Sequence, residues 1–254
     1  MILNDTPLFD AHFHIIDPQF PLQANQGFLP EPFTCDDYLQ RMSGQTLTGG
    51  VVVSGSFQGF DQDYLLAALK QLGPGYVGVT QLPATAGNAT LKLLNAAGVR
   101  GVRFNLYRGG MDAAKEMVPF AQRIHELFGW HVEIYADAPL VDRLYPEISQ
   151  LPKVAIDHLA LSRIASPHLL DLVAQGVRVK ASGFGRLEVD PIPLLRELYA
   201  ANPASLMFGT DLPSTRAPRP YSERDLQRIG DAFCEKGVRR VLCDNARQFY
   251  GLAD

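Results

Sequence analysis

Residues 131–158, HVEIYADAPLVDRLYPEISQLPKVAIDH, contain the unit from which the fold is read. A short run of β-branched and aromatic residues (HVEIYA, 131–136) leads into a segment with apolar residues three and four apart (LVDRLYPEISQLP). A second short apolar run, KVAIDH (153–158), follows. Strand, helix, strand at this length is a parallel crossover, because parallel neighbours cannot be joined by a tight turn.

Working outward, the pattern repeats. Earlier strand candidates are LFDAHF (8–13), GVVVSG (50–55), YVGVTQL (76–82) and GVRFNL (101–106). Later ones are VRVKASG (177–183) and SLMFGT (205–210). Helical segments lie between them: DQDYLLAALKQLG, GNATLKLLNAAG, AAKEMVPFAQRIHELFG, SPHLLDLVAQG and PIPLLRELYAAN. Several stop at Gly, the usual helix terminator, while Ser166-Pro167 and Asp190-Pro191 read as helix starts. Eight strands alternating with helices, with no break in composition, predict a single (β/α)8 TIM barrel over residues 1–254. A doubly wound sheet is the alternative, but no G-x-G-x-x-G follows the first strand.

The chain has 254 residues, 46% of them hydrophobic, enough for a large core, and a formal net charge of -4. An acidic balance disfavours nucleic acid or an anionic membrane surface as a partner. No apolar run approaches the roughly 20 residues needed to span a bilayer. The start MILNDTPLFDAHFH carries no secretory signature. Three cysteines, Cys35, Cys234 and Cys243, form neither a paired framework nor a zinc motif. The expected location is therefore cytoplasmic.

His12 and His14 sit two apart at the end of the first strand, so both imidazoles should face the barrel mouth. Asp10 shares that parity at a deeper level and is expected to hold backbone or orient His12. His158 ends KVAIDH and Asp211 ends SLMFGTD, at the same mouth in a barrel, where such enzymes build their sites. An ionised carboxylate can take a proton from water, and imidazoles can ligate zinc or hydrogen-bond a carbonyl oxygen as it gains charge. The four together suit attack of water on an acyl carbon. His125, His131 and His168 read as structural or surface residues.

Cations cluster at other strand ends. Arg103 lies in GVRFNLYRGG and Arg186 follows KASGFG, with Tyr135 near the end of the fifth strand. Arginine forks at one mouth imply an anionic ligand. Arg100 and Arg108 read as ordinary surface residues. Lys180, inside VRVKASG, needs a partner if buried, and its direction is open. The stretches Asp17–Pro32 and Pro213–Pro220 are expected to be the mobile ones.

LFDAHFH, RGVRFNLY, WHVEIYAD, VAIDHLALSR, KASGFGRL, LMFGTDLP and DNARQFYGL resemble the amidohydrolase superfamily (amidohydrolase family 2) over nearly the whole chain. More narrowly, they resemble its branch of 2-pyrone-4,6-dicarboxylate lactonases and sugar-acid lactonases. The resemblance implies that His12, His14 and His158 polarise a lactone carbonyl and that Asp211 is the base for the hydrolytic water. It also implies that Arg103, Tyr135, Arg186 and Ser56 contact substrate carboxylates. Where the family has a Trp-Pro-His triplet, this chain has Leu212-Pro213-Ser214, and the second arginine of the RFN loop stands one position out of register at Arg108. These departures from the resemblance point to a related lactone as the substrate. No lysine stands where binuclear amidohydrolases place a bridging carbamate.

The leading expectation is a lactone hydrolase with a small anionic substrate and no obligatory cofactor. If one divalent ion such as Zn2+ binds, His12, His14, His158 and Asp211 would hold it. The alternatives are a mononuclear zinc-dependent decarboxylase or amide hydrolase on the same barrel, and a carboxylate-binding barrel without turnover. The carboxylate of Asp211 argues against the last, since pure anion binding disfavours it. Homo-oligomer formation is left open.

Overall fold

The computed structural model describes every residue except 1, 2, 4, 110, 111, 188, 253 and 254, so the outermost ends of the expected 1–254 domain lie outside the described residues. Eight strands run in sequence order: β1 (Leu8–Phe13), β2 (Leu47–Val53), β3 (Tyr76–Thr80), β4 (Val99–Asn105), β5 (His131–Tyr135), β6 (Val154–Ile156), β7 (Arg178–Ala181) and β8 (Leu206–Phe208). Each pairs in parallel with the next. The seam between β8 and β1 is closed just beyond β8, where Asp211 N donates to His12 O and His14 N donates to Leu212 O, both at 2.7 Å. The result is a nearly closed (β/α)8 barrel. Among the described residues no helix is long and apolar enough to cross a membrane.

The helices form where apolar periodicity places them, Asp63–Leu72 between β2 and β3 and Asn88–Ala96 between β3 and β4 among them. Two differ in detail. The segment after β5 breaks into Ala138–Arg143 and Tyr145–Ile148, because Pro146 restarts the turn. Ser166 caps its helix by accepting from Leu169 N at 3.1 Å, whereas the helix after Asp190 starts two residues on, at Ile192.

Outward-facing strand residues such as Val52, Val132, Ile134, Val179 and Phe208 meet the helices in the main core. Fully burying each such side chain is worth about 1.5–3 kcal/mol. The barrel interior is divided. Its β1–β3 and β8 walls carry Phe9, Ala11, Val51, Val53, Val77, Val79 and Met207, closed from below by Phe249 and Tyr250 of the helix Asn245–Tyr250. Its β4–β7 wall instead carries Arg103, Glu133, Asp157 and Lys180, all buried.

The expected parity of Asp10 is overturned. β1 shifts register between Asp10 and Phe13, so Ala11 packs inside the barrel while His12 also turns inward. Asp10 points to the helix layer instead. It accepts from Thr210 Oγ1 (2.6 Å), Thr210 N (2.9 Å), His12 N (3.2 Å) and Tyr38 Oη (3.3 Å). Burial pushes its carboxyl up to about 6 despite those donors. Asp10 thus joins β1 to the β8 loop.

Candidate active site

The site sits where the β1, β6, β7 and β8 chain ends meet. Asp211, at φ 60°, follows β8, and its Oδ1 faces three imidazole nitrogens: His14 Nε2 at 3.6 Å, His158 Nε2 at 3.8 Å and His12 Nε2 at 3.9 Å. All four side chains are buried. Among the described residues, Asp211 Oδ1 and His12 Nε2 have no hydrogen-bond partner. His158 is aimed by an unusual backbone: His158, Leu159, Ala160 and Leu161 all have φ between 46° and 54°, a left-handed turn of four non-glycine residues. Two glycines permit the close packing. A Cβ on Gly209 would lie 2.7 Å from His12 Cβ, and one on Gly183 would lie 2.7 Å from His158 Nδ1.

The other nitrogen of each imidazole is engaged. His14 Nδ1 lies 2.7 Å from Val53 O and therefore donates to it, which leaves a lone pair on Nε2 of the neutral ring. His158 Nδ1 meets Ser182 Oγ at 2.9 Å. His12 Nδ1 lies 3.2 Å from Lys180 Nζ, 3.3 Å from Asp157 Oδ1 and 3.5 Å from Glu133 Oε1. Burial holds His158 down to about 3, against the pull of Asp211. Burial and then the Lys180 charge hold His12 well below the ordinary imidazole range, against Asp157. For Asp211, burial alone would raise the carboxyl, but Arg186 above all, with His158, outweighs it and holds it well below the usual carboxylate range. The site therefore keeps neutral His12 and His158 beside an ionised carboxylate.

All eight residues singled out from the sequence lie at this mouth. Ser56 opens the short turn after β2 and, with Arg103, Tyr135 and Arg186, lines the pocket over Asp211. The pocket is narrow, about 30 Å³, and adjoins a groove of about 560 Å³ that shares Ser56, Arg103 and Asn105. Tyr135 lies between the Arg103 guanidinium (5.0 Å to the ring centre) and the edge of His158 (5.3 Å).

Two arginines are less free than their positions imply. Arg103 binds Asp157 Oδ2 through Nε (2.9 Å) and Nη2 (2.8 Å), and Arg186 binds Asp211 Oδ2 through Nε (2.8 Å) and Nη2 (2.7 Å). Arg108 is not an ordinary surface residue: it lines the pocket. Lys180 faces the barrel interior, bonded to Glu133 Oε2. Glu133, Asp157 and Lys180 form a layer beneath His12 that the residue-type reading did not assemble. Its signal was a charged residue within each of the neighbouring strand stretches: Glu133 in HVEIYA, Asp157 in KVAIDH and Lys180 in VRVKASG. Burial and the Asp157 charge push Glu133 up to about 8, against Lys180 and Arg103. His131, as expected, is structural, donating from Nδ1 to Arg100 O (2.9 Å) and packing on Phe249 and Tyr250 at the barrel base.

Among the described residues, two groups of donors are close enough to hold a metal ion: His12, His158 and Asp211, and His12, Glu133 and Asp157. The first fits. His12 Nε2 and Asp211 Oδ1 are orphaned there, His14 Nε2 joins them with a lone pair, and Asp157 can accept a proton from His12 Nδ1. Arg186 on the same carboxylate opposes a dication by like-charge repulsion. The second group already contains the Lys180 ammonium as its cation.

A (β/α)8 barrel with buried imidazoles and an ionised aspartate at its C-terminal mouth is suited to activating water. The amidohydrolase family model matches residues 9–252, and the chain belongs to that family. It is similar to a 2-pyrone-4,6-dicarboxylate hydrolase of Comamonas testosteroni, 28% identical over 80% of this chain and 76% of that protein. It is also similar to a 4-sulfomuconolactone hydrolase of Hydrogenophaga intermedia, 24% identical over 96% of this chain and 88% of that one. A solved structure from Pseudomonas putida, named for 2-pyrone-4,6-dicarboxylic acid hydrolase activity, superposes with a TM-score of 0.78 at 29% identity, covering 99% of each chain.

Proposed function

We propose that this chain, residues 1–254 acting as one barrel domain, opens the ring ester of a lactone that bears acidic substituents, such as 2-pyrone-4,6-dicarboxylate or a related lactone. The observation that carries the reading is Asp211 Oδ1: a buried, ionised, unpartnered oxygen facing three imidazoles under an arginine-lined pocket. The names of the relatives support the same chemistry.

Asp211 Oδ1 accepts a proton from water as that water attacks the ring carbonyl, a contribution of typically 10²- to 10⁴-fold. His14 Nε2, holding a lone pair, orients the same water. Ser182 Oγ can donate to His158 Nδ1 and Lys180 Nζ to His12 Nδ1, which puts N–H on both Nε2 atoms. Those two donors then meet the carbonyl oxygen as it gains charge. The proton taken by Asp211 passes to the departing ring oxygen, leaving a hydroxy or enol acid. No metal is obligatory in this sequence.

The converging imidazoles favour a second reading, a zinc-dependent decarboxylase or amide hydrolase. A bound ion held by His12, His14, His158 and Asp211 would supply Lewis-acid polarisation.

The test is a panel of pyrone dicarboxylates, muconolactones and aldonolactones assayed with and without chelator. Hydrolysis of an acid-substituted lactone, undiminished by chelator, is the expected result. No turnover of any lactone overturns the reading, and loss to chelator restored by zinc moves it to the second.

A further inference from the structure

Four arginines line the pocket over Asp211: Arg103, Arg108, Arg186 and Arg216. Arg103 and Arg186 are neutralised by Asp157 and Asp211. Among the described residues, neither Arg108 nor Arg216 has a carboxylate partner. Arg108 lies over Tyr107 at 5.6 Å, and Arg216 is held entirely by neutral groups. Its Nη1 donates to Asn25 Oδ1 at 3.3 Å, its Nη2 donates to Asn25 O, and its guanidinium covers Phe28 at 4.5 Å.

That support is built for the purpose of fixing a cation. Asn25 and Phe28 bond to each other across a two-residue hairpin turn whose central Gln26 and Gly27 both have positive φ. The turn lies in the loop after β1, and Arg216 itself sits at φ 59° in the loop after β8. Arg108 sits in the short helix Leu106–Gly109 that follows β4, and β4 stands opposite β8 in the ring. Both side chains line the same narrow pocket, and the Arg108 charge adds to burial in weakening the hold of Arg216 on its proton. Two half-buried like charges with no carboxylate partner among the described residues favour an anion between them.

We propose that Arg216, paired across the mouth with Arg108, is a specificity determinant that takes a second anionic group of the substrate, while the first exchanges for Asp211 on Arg186. The proposal rests on the lactonase reading for its substrate and assigns selective charge to Arg108 and Arg216 rather than to Arg103. The preferred lactone then carries two acidic substituents on one planar ring.

The experiment uses benzene-1,3-dicarboxylate and benzoate as probes, titrated by calorimetry into the wild-type protein, Arg216→Met and Arg216→Lys, each checked for an unchanged melting temperature. The wild type should bind the dicarboxylate at least about tenfold tighter than benzoate. Arg216→Met should abolish that preference and leave benzoate binding unchanged, with Arg216→Lys between, since it keeps the charge but loses the fork. Failure of the wild type to prefer the dicarboxylate, or equal loss for both probes in Arg216→Met, overturns the proposal. The two failures separate cleanly. Selective probe binding without turnover of any lactone defeats the lactonase reading alone. Lactone turnover with an unchanged dicarboxylate-to-monocarboxylate ratio in Arg216→Met defeats this proposal alone.

Discussion

Arg186 holds Asp211 by one oxygen only: Nε and Nη2 both reach Oδ2, at 2.8 and 2.7 Å, and Oδ1 is left to the histidines. The aspartate is thereby kept ionised by one edge and kept reactive at the other. A substrate carboxylate that draws Arg186 away restores basicity to Asp211 as the substrate arrives. Arg186→Met should lower kcat/KM by about tenfold or more. It should also move the acid limb of the kcat/KM profile to higher pH, because burial then acts on Asp211 with its chief opponent gone. A limb that stays in place would show that the two residues are not coupled in catalysis.

Asp211→Asn keeps the shape of the side chain and removes the base. Turnover should fall by about 10²- to 10⁴-fold while binding of a non-hydrolysable dicarboxylate is retained. Steady-state rates alongside calorimetry check both halves, and undiminished hydrolysis would sink the assignment of the base.

Arg103 and Lys180 are partners of buried carboxylates before they are anything else. Arg103→Ala strands the ionised Asp157, so it should cost about 3–5 kcal/mol of stability in urea denaturation. Lys180→Met removes a charge that draws the Glu133 carboxyl down, so it should cost less than Arg103→Ala and leave Glu133 protonated to higher pH. An Arg103→Ala protein of native stability with only a raised KM would instead make Arg103 a simple substrate contact.

Glu133 makes stability depend on pH. With its carboxyl raised to about 8, the folded chain holds a proton that the unfolded chain has released above an ordinary 4.5. Stability from this group is full below the unfolded value and declines as pH rises through that interval. His12, His131 and His158, all depressed by burial, work oppositely, but only below 6.5. Between pH 6.5 and 8 the Glu133 effect should stand alone, a fall of about 2 kcal/mol that Glu133→Gln flattens. Denaturation midpoints across that range, wild type against variant, decide it.

The strands were legible because buried parallel strands are short apolar runs, and the site was legible because four chemistry-bearing residues ended such runs. Asp10 was misread because a register shift in β1 defeats strict alternation, and alternation is all a sequence displays. The helices Cys35–Arg41 and Glu223–Ala232 and the barrel floor Asn245–Tyr250 were not anticipated. The last is recognised only once Phe249 and Tyr250 are seen against Phe9 and His131. Arg216 escaped because nothing local marks it; its importance comes from Asn25 and Phe28, far away in the chain. For the same reason the contact that Arg216 makes between the stretches Asp17–Pro32 and Pro213–Pro220 is visible only in the fold.

The left-handed turn at His158 has a consequence for how activity is gained. Each L-residue resists that conformation by roughly 1–2 kcal/mol, so the turn cannot persist in an isolated segment. Its neighbours Leu159 and Ala160 are fully enclosed, and its imidazole is seated on Ser182 from the next strand. The completed barrel must impose the turn, which makes His158 a witness to closure. A fragment or a partly assembled chain can hold the helices and still have no third imidazole in place. Catalytic competence should therefore appear only with the final docking of the last strands, never in step with secondary structure.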